Sequence, residues 1–362
     1  MGYEVDFIAV GEEKSGDAIV VRFGNAYGGR DEQTVIVIDG GYKESGEELV
    51  NHIKTHYRTD RIDLVISTHP DADHARGLEA VLEQCQIDCL WMHQPWNHTD
   101  DIAKMFRDGR VTDMSVKESL RKSLENARAL EKLANSKGIP IIEPFTGVKD
   151  KTGQVIVIGP SVPFYEGLLP SFRGTPEPKS QFSVIKEAYQ SVKEAIQMIA
   201  ESWDIETLDD SGETSAENNS STIILLAVDD NYLLFTGDAG ILALREAVDR
   251  LETAGLDFSK IKFIQVPHHG SKRNIGPTLL DRLVGPKLNS DQKLRSAFVS
   301  VAKNGAPKHP SKKVVNAFRR RGVEVHSTAG SAKCHYYNAP GWPARSGWSA
   351  SEPLPFYTQV ED

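Results

Sequence analysis

Apolar positions fall into short blocks along the chain, and their spacing changes from two to between three and four and back again. Residues 3–10 alternate, residues 18–23 form a β-rich run, and residues 34–38 form another that stops at the turn signal Asp39-Gly40-Gly41. Helical spacing follows over 46–55, a buried strand over 63–67, a helix over 75–84 and a strand over 89–93. Residues 97–137 read as mostly helical, with a leucine face at Leu120, Leu124, Leu130 and Leu133. Strands return within 140–160, most clearly at 154–158. A Pro/Gly-rich loop is expected over 163–178, an amphipathic helix over 183–203, and a mobile acidic stretch over 206–219. Residues 222–228 and 232–235 then form a hairpin around Asp229-Asp230-Asn231. A helix is expected over 241–254, strands over 262–266 and 295–301, a helix over 312–321 and a strand over 322–326. Strand runs separated by helices in both halves predict an α/β (α+β) architecture of two sheets with helices outside.

Composition narrows the class. No apolar block is long enough to span a bilayer, and residues 1–10 do not read as an export signal. Cys85, Cys89 and Cys334 make no paired framework, so the protein is expected in the cytoplasm, with no membrane partner. The net charge of −9 argues against general affinity for polyanions. Its distribution adds a second picture. Residues 260–325 hold 15 Lys and Arg against 3 Asp and Glu, including the run Arg319-Arg320-Arg321, and are expected to form a basic face.

Three strand ends carry metal-ligand chemistry. The first offers His69, Asp71, Asp73 and His74 within six residues, where alternate residues of a tight turn face one side and neighbours diverge. The second carries Asp238, whose two oxygens suit it to bridging two cations. The third carries His268 and His269 between Pro267 and Gly270. Imidazoles mixed with carboxylates suit Zn, Mn or Fe.

These motifs resemble the metallo-β-lactamase superfamily, and most nearly the soluble metallo-hydrolase domain of ComEC-type DNA-uptake proteins. His69-Pro70-Asp71-Ala72-Asp73-His74 has the form of the family's first metal motif, with Asp71 in a slot that other branches give to histidine. Gly16-Asp17-Ala18, Ile38-Asp39-Gly40-Gly41, Asn218-Asn219-Ser220-Ser221, Thr236-Gly237-Asp238-Ala239, His268-His269-Gly270-Ser271, Lys303-Asn304 and His309-Pro310 follow the same branch in order. The resemblance implies a single four-layer αββα sandwich over 1–362, interrupted by mostly helical insertions at about 96–138 and 164–217. It implies two divalent metal ions (Zn or Mn), one taking His69, Asp71 and Asp238, the other Asp73, His74, Asp238 and His269. A further histidine that many members supply has no counterpart here, since His93 and His98 come too early. Asp73 would also orient the attacking water. His268 would stand behind the ligands or face substrate, and His309 would contact the scissile group or protonate the leaving oxygen. Lys272, Lys303, Asn304 and Asn219 are candidate substrate contacts, and Asp17 and Asp39 are supports or turn residues rather than ligands.

The implied activity is a metal-dependent phosphodiesterase or nuclease acting on a phosphate-containing substrate, DNA or RNA among them. The alternative is a hydrolase of a small ester, lactone, thioester or β-lactam, because one fold hosts many chemistries. Asp71 decides one expectation about the metal. Carboxylate oxygen is a harder donor than imidazole nitrogen, so manganese should restore activity to metal-depleted protein at least as well as zinc. Restoration by zinc and not by manganese, in a turnover assay, would contradict this.

Overall fold

Runs rich in valine, isoleucine and phenylalanine extend into strands because their stiff or flat side chains pack well on a pleated surface. The computed structural model describes residues 1–179, 198–305, 309–342 and 345–361. In chain order it contains β1 (Gly2–Phe7), β2 (Ala18–Gly24), β3 (Gln33–Gly40), β4 (Leu64–Ile66), β5 (Leu90–Trp91) and β6 (Ile141–Ile142). The second half adds β7 (Val155–Gly159), β8 (Ile223–Val228), β9 (Asn231–Phe235), β10 (Ile261–Gln265), β11 (Arg295–Val299), β12 (Val323–Ser327) and β13 (Lys333–Tyr337). The main helices are α1 (Lys43–His52), α2 (Leu78–Gln84), α3 (Asp113–Ser123), α4 (Glu125–Lys137), α5 (Val162–Leu168), α6 (Ile241–Thr253), α7 (Pro277–Val284) and α8 (Lys312–Arg320).

One sheet has the order β13-β1-β2-β3-β4-β5-β6 and the other β12-β11-β10-β9-β8-β7. Strand alternation sorts the side chains into layers. Ile36 and Ile38 of β3 point inward and meet Phe235 of β9, Phe263 of β10 and Phe298 of β11 in the space between the sheets. Val35 and Val37 point outward and pack with Leu49, Val81 and Leu130 of the helices α1, α2 and α4. Leu225, Leu234 and Ile264 on the far face of the second sheet pack with Leu244, Leu280 and Phe318 of α6, α7 and α8. The result is helix, sheet, sheet, helix, as expected.

Several local expectations change. Residues 163–178 are not all loop: Ser161 accepts a hydrogen bond from the Phe164 N–H, Pro163 sits in the first turn, and α5 forms with Tyr165 and Leu168 buried. The helix expected over 183–203 lies outside the described residues up to 197, and Met198–Ala200 is a strand paired with Gln359–Glu361. The leucine face of 118–133 is divided at Leu124 between α3 and α4. The acidic stretch 206–219 is anchored, with Glu217 and Asn219 buried and Glu206 paired to Arg321. Among the described residues no helix is long and apolar enough to cross a membrane.

The basic face takes a different form as well. Lys260 pairs with Asp230 at 2.7 Å, Lys293 with Glu324 at 2.7 Å, and Arg282 with Glu252 at 2.8 Å. Arg319 pairs with Asp291, while Arg320 and Arg321 are buried side chains rather than surface ones. Arg320 donates to Glu201 at 3.0 Å and to the carbonyls of Trp203 and Ile205, clamping the segment after Met198–Ala200 onto α8. Breaking a buried pair strands the other charge. Arg320→Met is therefore expected to cost about 3–5 kcal/mol of unfolding free energy, measured by urea denaturation; a loss under about 1 kcal/mol, the worth of an exposed pair, would refute the clamp.

Candidate metal centre

The ends of β4, β9 and β10 meet at one edge of the sandwich. The Thr222 N–H donates to the Thr68 carbonyl at 2.9 Å and ties the two sheets where the candidate ligand residues emerge, while the His268 N–H donates to the Gly237 carbonyl at 3.2 Å and joins the ends of β10 and β9 within the second sheet. Gly237 has φ +50, and a Cβ there would lie 3.0 Å from Thr68 Oγ1. Glycine is needed for the close approach that brings Asp238 opposite His69. His268 and His269 also have positive φ, 45 and 55. Successive left-handed residues are strained for side chains of this size, and the turn they make presents both imidazoles to the same centre.

Each imidazole is oriented through its Nδ1. His74 Nδ1 lies 2.8 Å from Asp39 Oδ2, and His269 Nδ1 lies 3.0 Å from the Ser300 carbonyl, so both must donate there. His268 Nδ1 lies 2.9 Å from Asn274 Oδ1, whose amide nitrogen is spent on the Asp238 carbonyl at 2.8 Å. His69 Nδ1 lies 3.0 Å from Thr68 Oγ1, whose own proton goes to Asp39 Oδ2 at 2.6 Å. All four rings therefore turn Nε2 inward, the atom that binds a metal once it carries no proton.

What those Nε2 atoms face is carboxylate oxygen. His69 Nε2 stands 3.7 Å from Asp71 Oδ2 and 3.8 Å from Asp238 Oδ2. His74 Nε2 stands 3.3 Å from Asp238 Oδ1 and 4.0 Å from Asp73 Oδ2, and His269 Nε2 stands 3.6 Å from Asp73 Oδ2. His268 Nε2 is 3.5 Å from Asp238 Oδ2. Donors bound at about 2.0–2.2 Å to one tetrahedral cation lie roughly 3.3–3.6 Å apart. Nε2 of His69, His74 and His269 and Oδ1 of Asp238 are buried with no hydrogen-bond partner, a costly state unless a cation joins them. The clusters Asp39/His69/His74, Asp73/His74/His269 and Asp17/His74/Asp238 each bring three donors within 4.8 Å, and the His/Asp set fits a metal site.

The charges agree. Burial pushes the Asp238 carboxyl up, but the facing His268, His74 and His269 hold it well below the usual range. Asp71 and Asp73 are lowered against the same burial, Asp71 by His69 and Arg173, and Asp73 by its contact with His269 and by His74. Burial pulls His74 down, and Asp238 and Asp39 raise it well above the ordinary value. Asp17, tied to Gln265 at 2.9 Å, is pushed up by burial.

The remaining candidates lie in different places. His309 is exposed, its ring 6.4 Å from that of His268 at 30°. Lys272 is exposed on the turn after Ser271. Lys303 and Asn304 turn to Glu12, at 3.7 and 3.3 Å. Asn219 is buried, donating to the Thr214 and Ser215 carbonyls, so it cannot meet substrate; its neighbour Asn218 reaches His268 Nδ1 at 3.3 Å. His93 is a packed residue, stacked on Tyr165 at 4.5 Å and lowered to about 3 by burial. Three residues enter the site without having been singled out in the sequence. Asn274 orients His268, Arg173 Nη2 lies 2.7 Å from Asp71 Oδ1, and Tyr42 is raised to about 12 by burial and by the Asp73 charge. Only Tyr42 had a signal, its place directly after Asp39-Gly40-Gly41.

Residues 19–94, from β2 through the first ligand motif to β5, match a protein-family model. The matched family is the metallo-beta-lactamase superfamily. Its members are mostly metal-dependent hydrolases, and the match together with the His/Asp clusters supports that coarse activity here. No curated protein matches the chain. Among solved structures, a candidate metallo-beta-lactamase from Thermotoga maritima is 13% identical with a TM-score of 0.33, over 66% of this chain and 79% of its own. A variant of CmlA beta-hydroxylase is 10% identical at a TM-score of 0.41, over 91% of this chain and 53% of its own. A metallo-beta-lactamase from Pontibacter korlensis is 13% identical at 0.24, over 66% and 74%. These scores are too low to bear on activity.

The ligand geometry sets a pH dependence. Burial lowers His269, but the Asp238 charge and the contact with Asp73 push it up to about 9. Below that pH the cation-free protein holds a proton where the metal must bind, so metal affinity should fall as pH falls. Calorimetry near pH 7.5 in buffers of different ionisation enthalpy should register proton release on binding; identical heats in all buffers would contradict it.

Proposed function

We propose that this chain is a two-metal-dependent hydrolase of phosphoesters, a phosphodiesterase or nuclease of the ComEC-like branch. The observation that carries the reading is Asp238, which offers Oδ1 to His74 and Oδ2 to His69 and His268. One carboxylate thus serves two ligand sets: His69, Asp71 and Asp238, with His268 beside them, and Asp73, His74, Asp238 and His269. Divalent cations held there lower the pKa of water and take up negative charge developing on the substrate. Asp73, ionised and with its side chain 27% exposed, accepts a hydrogen bond from the attacking water and fixes its direction. His309, exposed and with its ring 6.4 Å from that of His268, delivers a proton to the leaving oxygen as its bond to phosphorus breaks. Asp71 in a histidine slot supports the branch, and the carboxylate-rich site supports a phosphoryl group as the electrophile.

One observation favours the second reading, a small uncharged ester, lactone or lactam. The basic segment 260–325 is extensively paired with acids, which removes much of its attraction for a long polyanion. A substrate panel separates the two. With Mn or Zn present, bis(p-nitrophenyl) phosphate or single-stranded nucleic acid should be cleaved faster than a lactone, an ester or a chromogenic lactam. Asp73→Asn should lower turnover at least a hundredfold, with the melting temperature little changed. Wild-type rates in that variant at unchanged metal content would remove Asp73 from the mechanism, and turnover of uncharged substrates alone would replace the phosphoester reading.

A further inference from the structure

We infer that Arg173 is the receptor for a substrate oxyanion beside the metal centre, and so sets specificity for anionic substrates. The inference deepens the phosphoester reading and rests on it for the identity of the anion. Its first support is position. Arg173 Nη2 lies 2.7 Å from Asp71 Oδ1, while Asp71 Oδ2 faces His69. The guanidinium therefore stands on the outer oxygen of a ligand carboxylate. Asp71 is its only ion-pair partner among the described residues, and its side chain is 44% exposed. A planar fork of five N–H donors is only partly used by that contact, and the fork matches the oxygens of a phosphate or carboxylate.

The second support is the anchoring of this residue. The Arg173 N–H donates to Glu217 Oε1 at 2.6 Å, and its carbonyl accepts from Ser123 Oγ at 2.8 Å. Glu217 is buried, and Phe172 is buried edge-on to Tyr165 at 6.0 Å. Residues from 96–138 and from 164–217 thus grip one backbone position from both sides. So much fixation of the main chain at a half-exposed arginine is more than a surface ion pair needs, whose contribution to stability is about 0–1 kcal/mol. It does serve a receptor, because with the backbone fixed only the side chain remains to be ordered when an anion binds.

The third support is charge. Lys303 turns to Glu12, and Arg320 and Arg321 are buried in clamps far along the chain from the ligands. Two divalent cations would nearly balance Asp71, Asp73 and Asp238, leaving little to select an anion over a neutral ester. Arg173 supplies that selection.

The test uses the full chain loaded with manganese or zinc, and inorganic phosphate as probe, titrated by calorimetry. Arg173→Gln should weaken phosphate binding roughly ten- to hundredfold, the span of a charge-assisted hydrogen bond, with metal content unchanged. Arg173→Lys, which keeps the charge without the fork, should fall between. With bis(p-nitrophenyl) phosphate, KM should rise more than kcat falls, while KM for an uncharged ester stays put. Phosphate affinity equal to wild type in Arg173→Gln would overturn the inference. So would loss of metal together with phosphate, which would make Arg173 a prop for Asp71. Arg173-dependent phosphate binding in a wild type that cleaves no phosphoester would uphold the receptor and remove the phosphoesterase reading.

Discussion

The site hangs on a buried carboxylate that is not itself presented as a ligand. Asp39 is fully buried and takes three donors: the Thr68 N–H at 2.8 Å, the Thr68 hydroxyl at 2.6 Å and His74 Nδ1 at 2.8 Å. A buried charge is tolerated only when its oxygens are satisfied in this way. The consequence spreads by one hydrogen bond, because Thr68 has given its proton to Asp39 and can only accept from His69. One group thus fixes the tautomer of two rings. Its own position is forced by the backbone: Asp39 has φ 57, and the next residue, Gly40, touches Gly77 so closely that a Cβ would lie 2.5 Å from Leu78 N. The chain around the first motif packs against the end of β3 with no room for adjustment.

Much of this was legible in the sequence because the strongest signals are local. The six-residue run from His69 to His74 needs no tertiary information to be read as a cluster of metal-binding side-chain types, and alternation along residues 34–38 sorts β3 between two faces. What escaped depends on contacts between distant residues. β13 reads Lys-Cys-His-Tyr-Tyr and has no apolar period; it is a strand because Tyr337 to Lys333 pair with Tyr3 to Phe7. The α5 helix was hidden by Pro163 and Gly167, residues that discourage helix in isolation but are tolerated in a short, capped and well-buried one. Arg173 carries no motif at all, and its significance lies in where two separate stretches of chain hold it.

Charge along a sequence and charge on a surface proved to be different quantities. The excess of lysine and arginine in 260–325 is real, yet much of it is paired: with Asp230, Glu201 and Glu206, which precede the segment, and with Asp281, Asp291 and Glu324 within it. Long-range pairing of this kind ties segments together, and it weakens the field that the bare count suggests.

The pairing of β13 with β1 also has a consequence for synthesis. A ribosome makes β1 long before β13, so β1 stays without one neighbour while everything between the two strands is made. Throughout that interval its N–H and C=O groups form an open template for any extended peptide nearby. A chain stopped short of Lys333 keeps the candidate ligand residues but leaves this edge bare. Nascent and truncated forms should therefore depend on chaperones in a way the finished protein does not.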